Sequence, residues 1–245
     1  MTEKHNITKS ATAEERIEMD KSNILALDVE TAANRPDYFK HRVFNDIISI
    51  GVVDTKTGDS WYWSVRPPEE YRTGNPWWDG HHMSWETQKN EKTLDQLWPE
   101  IFSVLDGRHI VAHNAFGFDM EAMTKSAEHY DLEIPNWTWL DTKHEAAKAG
   151  HKRTSLKDLL PELGLPYESE KHHNALDDAK MLVPLFWELN KTALWTKHTV
   201  EKTETRATSP TSYRELEEAI EFNDFFGIGV DFDTVIQDPP NGECY

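Results

Sequence analysis

The chain of 245 residues carries a single cysteine, Cys244, next to the C-terminal Tyr245. One cysteine cannot build a disulfide framework within the chain, and it removes thiolate-based zinc sites. That usage suits a reducing, cytoplasmic setting. Long apolar runs are missing too: no stretch of eighteen apolar residues occurs, so no membrane span is expected. The first twenty residues, MTEKHNITKSATAEERIEMD, lack the apolar core of a secretory signal. Positive charge is scarce, with 26 Lys and Arg against 44 Asp and Glu, a net charge of −18. This speaks against a broad basic nucleic-acid surface. It leaves nucleic acid open as a partner, because a metal-dependent site can supply positive charge locally.

The acidity is unevenly spread. Residues 1–20 hold five acids and three bases, or −2, and residues 201–245 hold eleven acids and three bases, or −8. The remaining −8 belongs to the middle 180 residues. The stretch TVEKTETRATSPTS reads as a linker, a short helix is expected over 213–223, and the end has Gly and Pro breaks without a clear period. The expected organisation is an N-terminal arm over 1–20, a globular domain over 21–197, and an acidic linker and tail over 198–245.

Within the domain, NILALD (23–28), DIISIGVVD (46–54), SWYWSV (60–65), HIVAH (109–113) and WTWLD (137–141) read as strands. Residues 93–105, 118–130, 155–163 and 174–190 read as helices, with Pro99 able to kink or restart the first. Strands followed by alternating helices and strands indicate an α/β domain with a mixed sheet.

Acids stand at the ends of these strands. Asp28 and Glu30 end the first apolar run, and two acids two apart on a strand share one face. Such a pair is costly unless both are solvated in a turn or a cation binds them. In VAHNAFGFDM, a strand ends at His113-Asn114 and Asp119 opens a helix, where the helix dipole alone could account for it. In KHHNALDDAKMLVPLFWEL two registers compete, His172 with Asp177 and His173 with Asp178. Asp178 shares a stripe with Leu182, Leu185 and Leu189, whereas Asp177 falls with Met181, Pro184 and Glu188. Asp178 is therefore expected to point inward, where it needs a partner or a metal. Four carboxylates (Asp28, Glu30, Asp119 and Asp178) suit two hard divalent cations, and His173 suits a general base. Twelve histidines offer no His-x-x-x-His pair with a third ligand, so no structural zinc is expected.

The ordered set LALDVETA, HNAFGFDM and HNALDDA resembles the DnaQ-like 3′→5′ exonucleases of the DEDDh class, which include proofreading exonucleases, ribonuclease T and oligoribonuclease. DIISIGVV, HHMSWET with the following helix, LDTKHEAAK and SLKDLLPELGL resemble the family's flanking segments, so the likeness covers roughly residues 22–192. The resemblance implies an RNase H-like α/β fold, with a mixed five-stranded sheet, its first three strands antiparallel, and helices on both faces. It implies a hydrolase that releases nucleoside 5′-monophosphates from a 3′ end with two Mg²⁺ or Mn²⁺ ions. Asp28 would bridge both ions, Glu30 and Asp178 would hold the first, and Asp119 would hold the second. His173 would deprotonate the attacking water. Thr31, Met83, Asn114 and Phe118 would contact the terminal nucleotide.

Two features depart from the family pattern. Three residues, Ala115, Phe116 and Gly117, separate Asn114 from Phe118-Asp119 where the family usually has two, which leaves open whether Phe116 or Phe118 meets substrate. Residues 66–79 form a Pro- and Trp-bearing insertion. Single-stranded or 3′-terminal nucleic acid is the expected partner, DNA before RNA, and a non-catalytic interaction module of the same fold is the rival. Of the ten tryptophans, Trp61, Trp63 and Trp98 are expected to pack, while Trp77 and Trp78 could pack or stack on unpaired bases. The apolar residues within 213–235 suit a docking peptide for a protein partner.

Overall fold

The computed structural model describes residues 23–32, 46–69, 83–171, 173–193 and 195–200. The chain divides into two compact units, Met1–Thr203 and Glu204–Tyr245. The expected arm, the helix over 213–223, the 213–235 segment, His172, Trp77 and Trp78 lie outside the described residues, as does most of the 66–79 insertion.

In chain order the elements are β1 (Ile24–Thr31), β2 (Ile47–Asp54), β3 (Ser60–Ser64), α1 (Trp85–Gln88), α2 (Leu94–Leu105), β4 (His109–Ala112), α3 (Asp119–His129), β5 (Trp137–Asp141), α4 (Thr142–Lys148), α5 (Leu156–Glu162), α6 (Ala175–Leu189) and β6 (His198–Val200). The sheet order is β3-β2-β1-β4-β5-β6. β2 runs antiparallel to both of its neighbours, β1 and β3, while β4 and β5 run parallel to β1, and β6 pairs antiparallel with β5. The expected five strands are thus corrected to six. The sixth is three residues long and lies in the polar stretch read as the start of the linker, where Trp137, Thr138 and Trp139 recruit it by backbone pairing.

Period-two alternation builds the core on both faces of the sheet. Leu25, Leu27 and Val29 of β1 face Leu97, Trp98, Ile101 and Leu105 of α2 and Met123 of α3. Ile24 and Ala26 face the other way, toward Leu159 and Leu160 of α5 and Leu182, Leu185 and Phe186 of α6. A strand covered on both faces reads as a continuous apolar run, and that is why its period is silent. β1 continues past the apolar run to Thr31, so Asp28 and Glu30 lie inside the strand rather than after it. Their cross-strand partners are Gly51 and Ser49. α2 runs unbroken through Pro99, which is exposed, so the carbonyl that loses its helical donor can meet water. Trp63 and Trp98 are buried in the α2 layer, Trp61 packs against it, and Trp98 Nε1 donates to the Glu133 carbonyl at 2.8 Å.

Among the described residues no helix is long and apolar enough to cross a membrane.

Candidate active site

Three elements converge at the carboxyl end of β1. Alternation carries Asp28 and Glu30 onto the face that α6 covers. Gly51 makes that cover close: a Cβ there would lie 2.3 Å from the backbone of Ala175 and Leu176. The bare Cα lets the first turn of α6 rest on β2 beside Asp28. On that turn Asp178 is 3% exposed, in line with the buried Leu182, Leu185 and Leu189. Asp177 turns outward and pairs with Lys180 at 3.1 Å. Carboxylate oxygens of Asp28, Glu30 and Asp178 all lie within 4.8 Å of one another.

Asp119 arrives from the other layer. β1 pairs with β4 only as far as Ala26, and beyond that the Val29 N–H donates to Asp119 Oδ1 at 3.2 Å. Asp119 is 2% exposed, and its helix α3 starts directly at it. Burial pushes its carboxyl up to about 8, with the charges of Asp141 and Glu30 adding to the shift and the Val29 N–H opposing it. The Asp28 carboxyl is likewise held well above its ordinary range, first by desolvation and then by Asp119, Glu30 and Asp178. The structure therefore brings all four acids together as one electrostatic unit.

His173 lies on the loop before α6, with an exposed side chain and a left-handed backbone (φ 70°). Its N–H donates to Asp178 Oδ2 at 3.0 Å, so the loop is tied to the acid itself. Asn174 caps α6 through the Asp177 N–H. His113, the other histidine at this edge, has a different character. Burial pushes its imidazole down to about 4, and its Nδ1 lies 2.9 Å from Thr142 Oγ1, which in turn donates to the Ala112 carbonyl.

The residues expected to meet a nucleotide lie on β1, before α1 and on the turn before α3. Thr31 is buried at the end of β1, next to a register shift between Glu30 and Thr31. Met83 is half-buried and packs on Ala32 and Ile48. Asn114 has φ 72°, and its carbonyl accepts the Gly117 and Phe118 N–H groups. Of the two phenylalanines, Phe116 packs against the core and against His198 (ring centroids 4.2 Å apart), while Phe118 is 38% exposed. That tight turn spans the three residues between Asn114 and Phe118.

Asp141 was not singled out from the sequence. It is buried at the end of β5 and caps α4 by accepting the Lys143 and His144 N–H groups at 2.9 and 3.2 Å. The same carboxylate accepts the N–H groups of Asn114 (3.0 Å) and Phe116 (3.1 Å). It shapes the turn that delivers Asp119. Its signal was the Asp-Thr pair between an apolar strand and a helical stretch, an N-cap pattern.

The donor set fits hard divalent cations: carboxylate oxygens alone, two of the three clustered acids buried, with mutual repulsion that a dication would relieve.

The comparisons with known proteins agree with this geometry. The family model of RNase T-type exonucleases matches residues 25–186, and the chain belongs to that exonuclease family, a class of hydrolases. A PolC-type DNA polymerase III from Thermotoga petrophila is 29% identical over 175 residues, 68% of this chain and 12% of that protein. The 3′-5′ exonuclease DinG from Bacillus subtilis is 26% identical over 182 residues, 70% of this chain and 18% of that protein. The chain therefore spans less than a fifth of the length of these curated relatives. Among solved structures, the nuclease domain of 3′hExo, a DEDDh family member bound to rAMP, shares the fold. Its TM-score is 0.59 at 17% identity, covering 74% of this chain and 98% of that one.

Proposed function

We propose that this chain is a divalent-metal-dependent 3′→5′ exonuclease that cleaves the terminal phosphodiester of a nucleic-acid strand and releases nucleoside 5′-monophosphates. The observation that carries the reading is the meeting of Asp28, Glu30 and Asp178 within 4.8 Å, with Asp119 coupled to them and His173 tied to Asp178. Asp28, Glu30 and Asp178 would hold one Mg²⁺ or Mn²⁺, and Asp119 with Asp28 a second. Such ions supply charge stabilisation at both the attacking and the leaving oxygens. His173, exposed beside the acids, accepts the proton of the water that attacks phosphorus. The bond from phosphorus to the 3′ oxygen breaks, the leaving oxygen takes a proton from solvent, and the shortened strand leaves with a 3′ hydroxyl. Thr31, Met83, Asn114 and the exposed Phe118 hold the terminal nucleotide. His113, half-buried and neutral, keeps the second motif in place and takes no proton. DNA is the favoured substrate because the PolC-type relative is a DNA polymerase. RNA is the second reading, since 3′hExo was seen with rAMP.

The test uses 3′-labelled and 5′-labelled single-stranded DNA and RNA with Mg²⁺, Mn²⁺ or EDTA. Mononucleotide release from the 3′ end, dependent on the cation, is expected. Asp28→Ala and Asp178→Ala should each lose more than the roughly 10–100-fold that removal of a supporting group around a metal site costs. A folded Asp178→Ala protein with wild-type turnover would sink the assignment.

A further inference from the structure

The chain is strongly acidic, yet residues 143–157 hold five bases (Lys143, Lys148, Lys152, Arg153 and Lys157) against one acid, Glu145. Glu145 is buried and already engaged, by Lys148 at 3.3 Å and the Thr196 N–H at 2.8 Å. All five basic residues are exposed. Asp158, the next acid along, accepts the Ser155 hydroxyl at 2.7 Å and stands 3.9 Å from Arg153, a solvent-screened separation.

This segment borders the candidate site at both ends. α4 begins directly after β5, and there Lys143 Nζ donates to Asn114 Oδ1 at 3.3 Å. After α4 the chain returns, and the Thr154 backbone lies against the His113 imidazole. Lys152 and Arg153 are the two residues before that return. The segment leaves the site at Lys143 and comes back to it at Thr154, presenting cations on the way. Beside it stand four carboxylates that, without bound cations, would repel every phosphate of a strand.

We infer that residues 143–153 form a track for the phosphodiester backbone of the strand upstream of its 3′ end. The inference rests on the exonuclease reading above and names where that site takes hold of a longer substrate. Lysine offers each phosphate a point charge and arginine a planar fork, and neither reads sequence. The track therefore gives strand affinity without base preference.

The experiment compares the wild-type chain with Lys152→Ala/Arg153→Ala on two substrates in Mg²⁺. One is a single-stranded 20-mer. The other is the p-nitrophenyl ester of thymidine 5′-monophosphate, which has no upstream phosphate. In the variant, the ratio of kcat/KM on the 20-mer to that on the ester should fall about tenfold at low salt. Its salt dependence on the 20-mer should flatten, by about 0.7 in log–log slope for each phosphate that the variant no longer neutralises. A wild-type ratio and slope in the variant, with the wild type cleaving both substrates, would overturn the track. Faster cleavage of the 20-mer by the variant would also overturn it, since the segment would then be covered by an acidic polypeptide. A wild-type chain that cleaves neither substrate would overturn the exonuclease reading, and the track with it.

Discussion

Asp119 carries the clearest consequence at the level of single residues. Its carboxyl is pushed up to about 8 in the folded chain, against an ordinary value of 3.8. Below about pH 4 the group is neutral in both folded and unfolded chains. As pH rises toward 8 the unfolded chain ionises it freely while the folded chain resists, so the metal-free fold loses stability across that window. Asp119→Asn, which can still accept the Val29 N–H, removes this loss. In EDTA its melting temperature should match wild type near pH 4 and exceed it at pH 8 by at least about 2–4 °C, the effect of one kcal/mol in a domain of this size. A difference that does not change with pH would count against the ionisation account. The histidine pair gives a second prediction. His173→Ala should lose about 10²–10⁴ in rate at neutral pH while retaining Mn²⁺ binding, and His172→Ala should cost little. A larger loss at His172 would mean that the register is wrong. The inward placement of Asp178 was legible from one stripe of leucines. The cap made by Asp141 was legible from its Asp-Thr pair, but its hold on Asn114 and Phe116 was not, because no local spacing connects those segments.

Among the elements, the seat of α6 on β2 is the most exposed to substitution. Gly51 sits in a run of Ile and Val and reads as an ordinary strand residue with a small side chain. Its reason is long-range: Ala175 and Leu176 occupy the space a Cβ would take. Gly51→Ala must lift the first turn of α6, and Asp178 with it, away from Asp28. A loss of about 1–3 kcal/mol in urea unfolding is expected, together with a weaker apparent affinity for Mn²⁺ in the activity assay. Unchanged Mn²⁺ dependence in the folded variant would separate helix seating from the acid cluster. Element types were legible wherever an apolar face has a period, as in α2, α6 and β3. The four-residue α1 and the short α4 show too little period to be read, and both depend on caps, Ser84 and Asp141.

For the whole molecule, charge and chain boundary set the expectations. Residues 201–245 carry eleven acids and three bases, and such a segment is repelled by a polyanionic substrate. A chain ending at Thr203 should cleave short single strands within a few-fold of the full chain, measured at low salt. Loss of nucleic-acid binding on that truncation would make the acidic segment part of the substrate site. Six positions earlier the outcome changes. A chain ending at Lys197 lacks β6, and β5 then presents the backbone of Trp137–Trp139 to solvent as a sheet edge. The three residues His198–Val200 thus act as a stopper against strand addition by a second molecule, and without them the same catalytic domain should turn up in light scattering as aggregates.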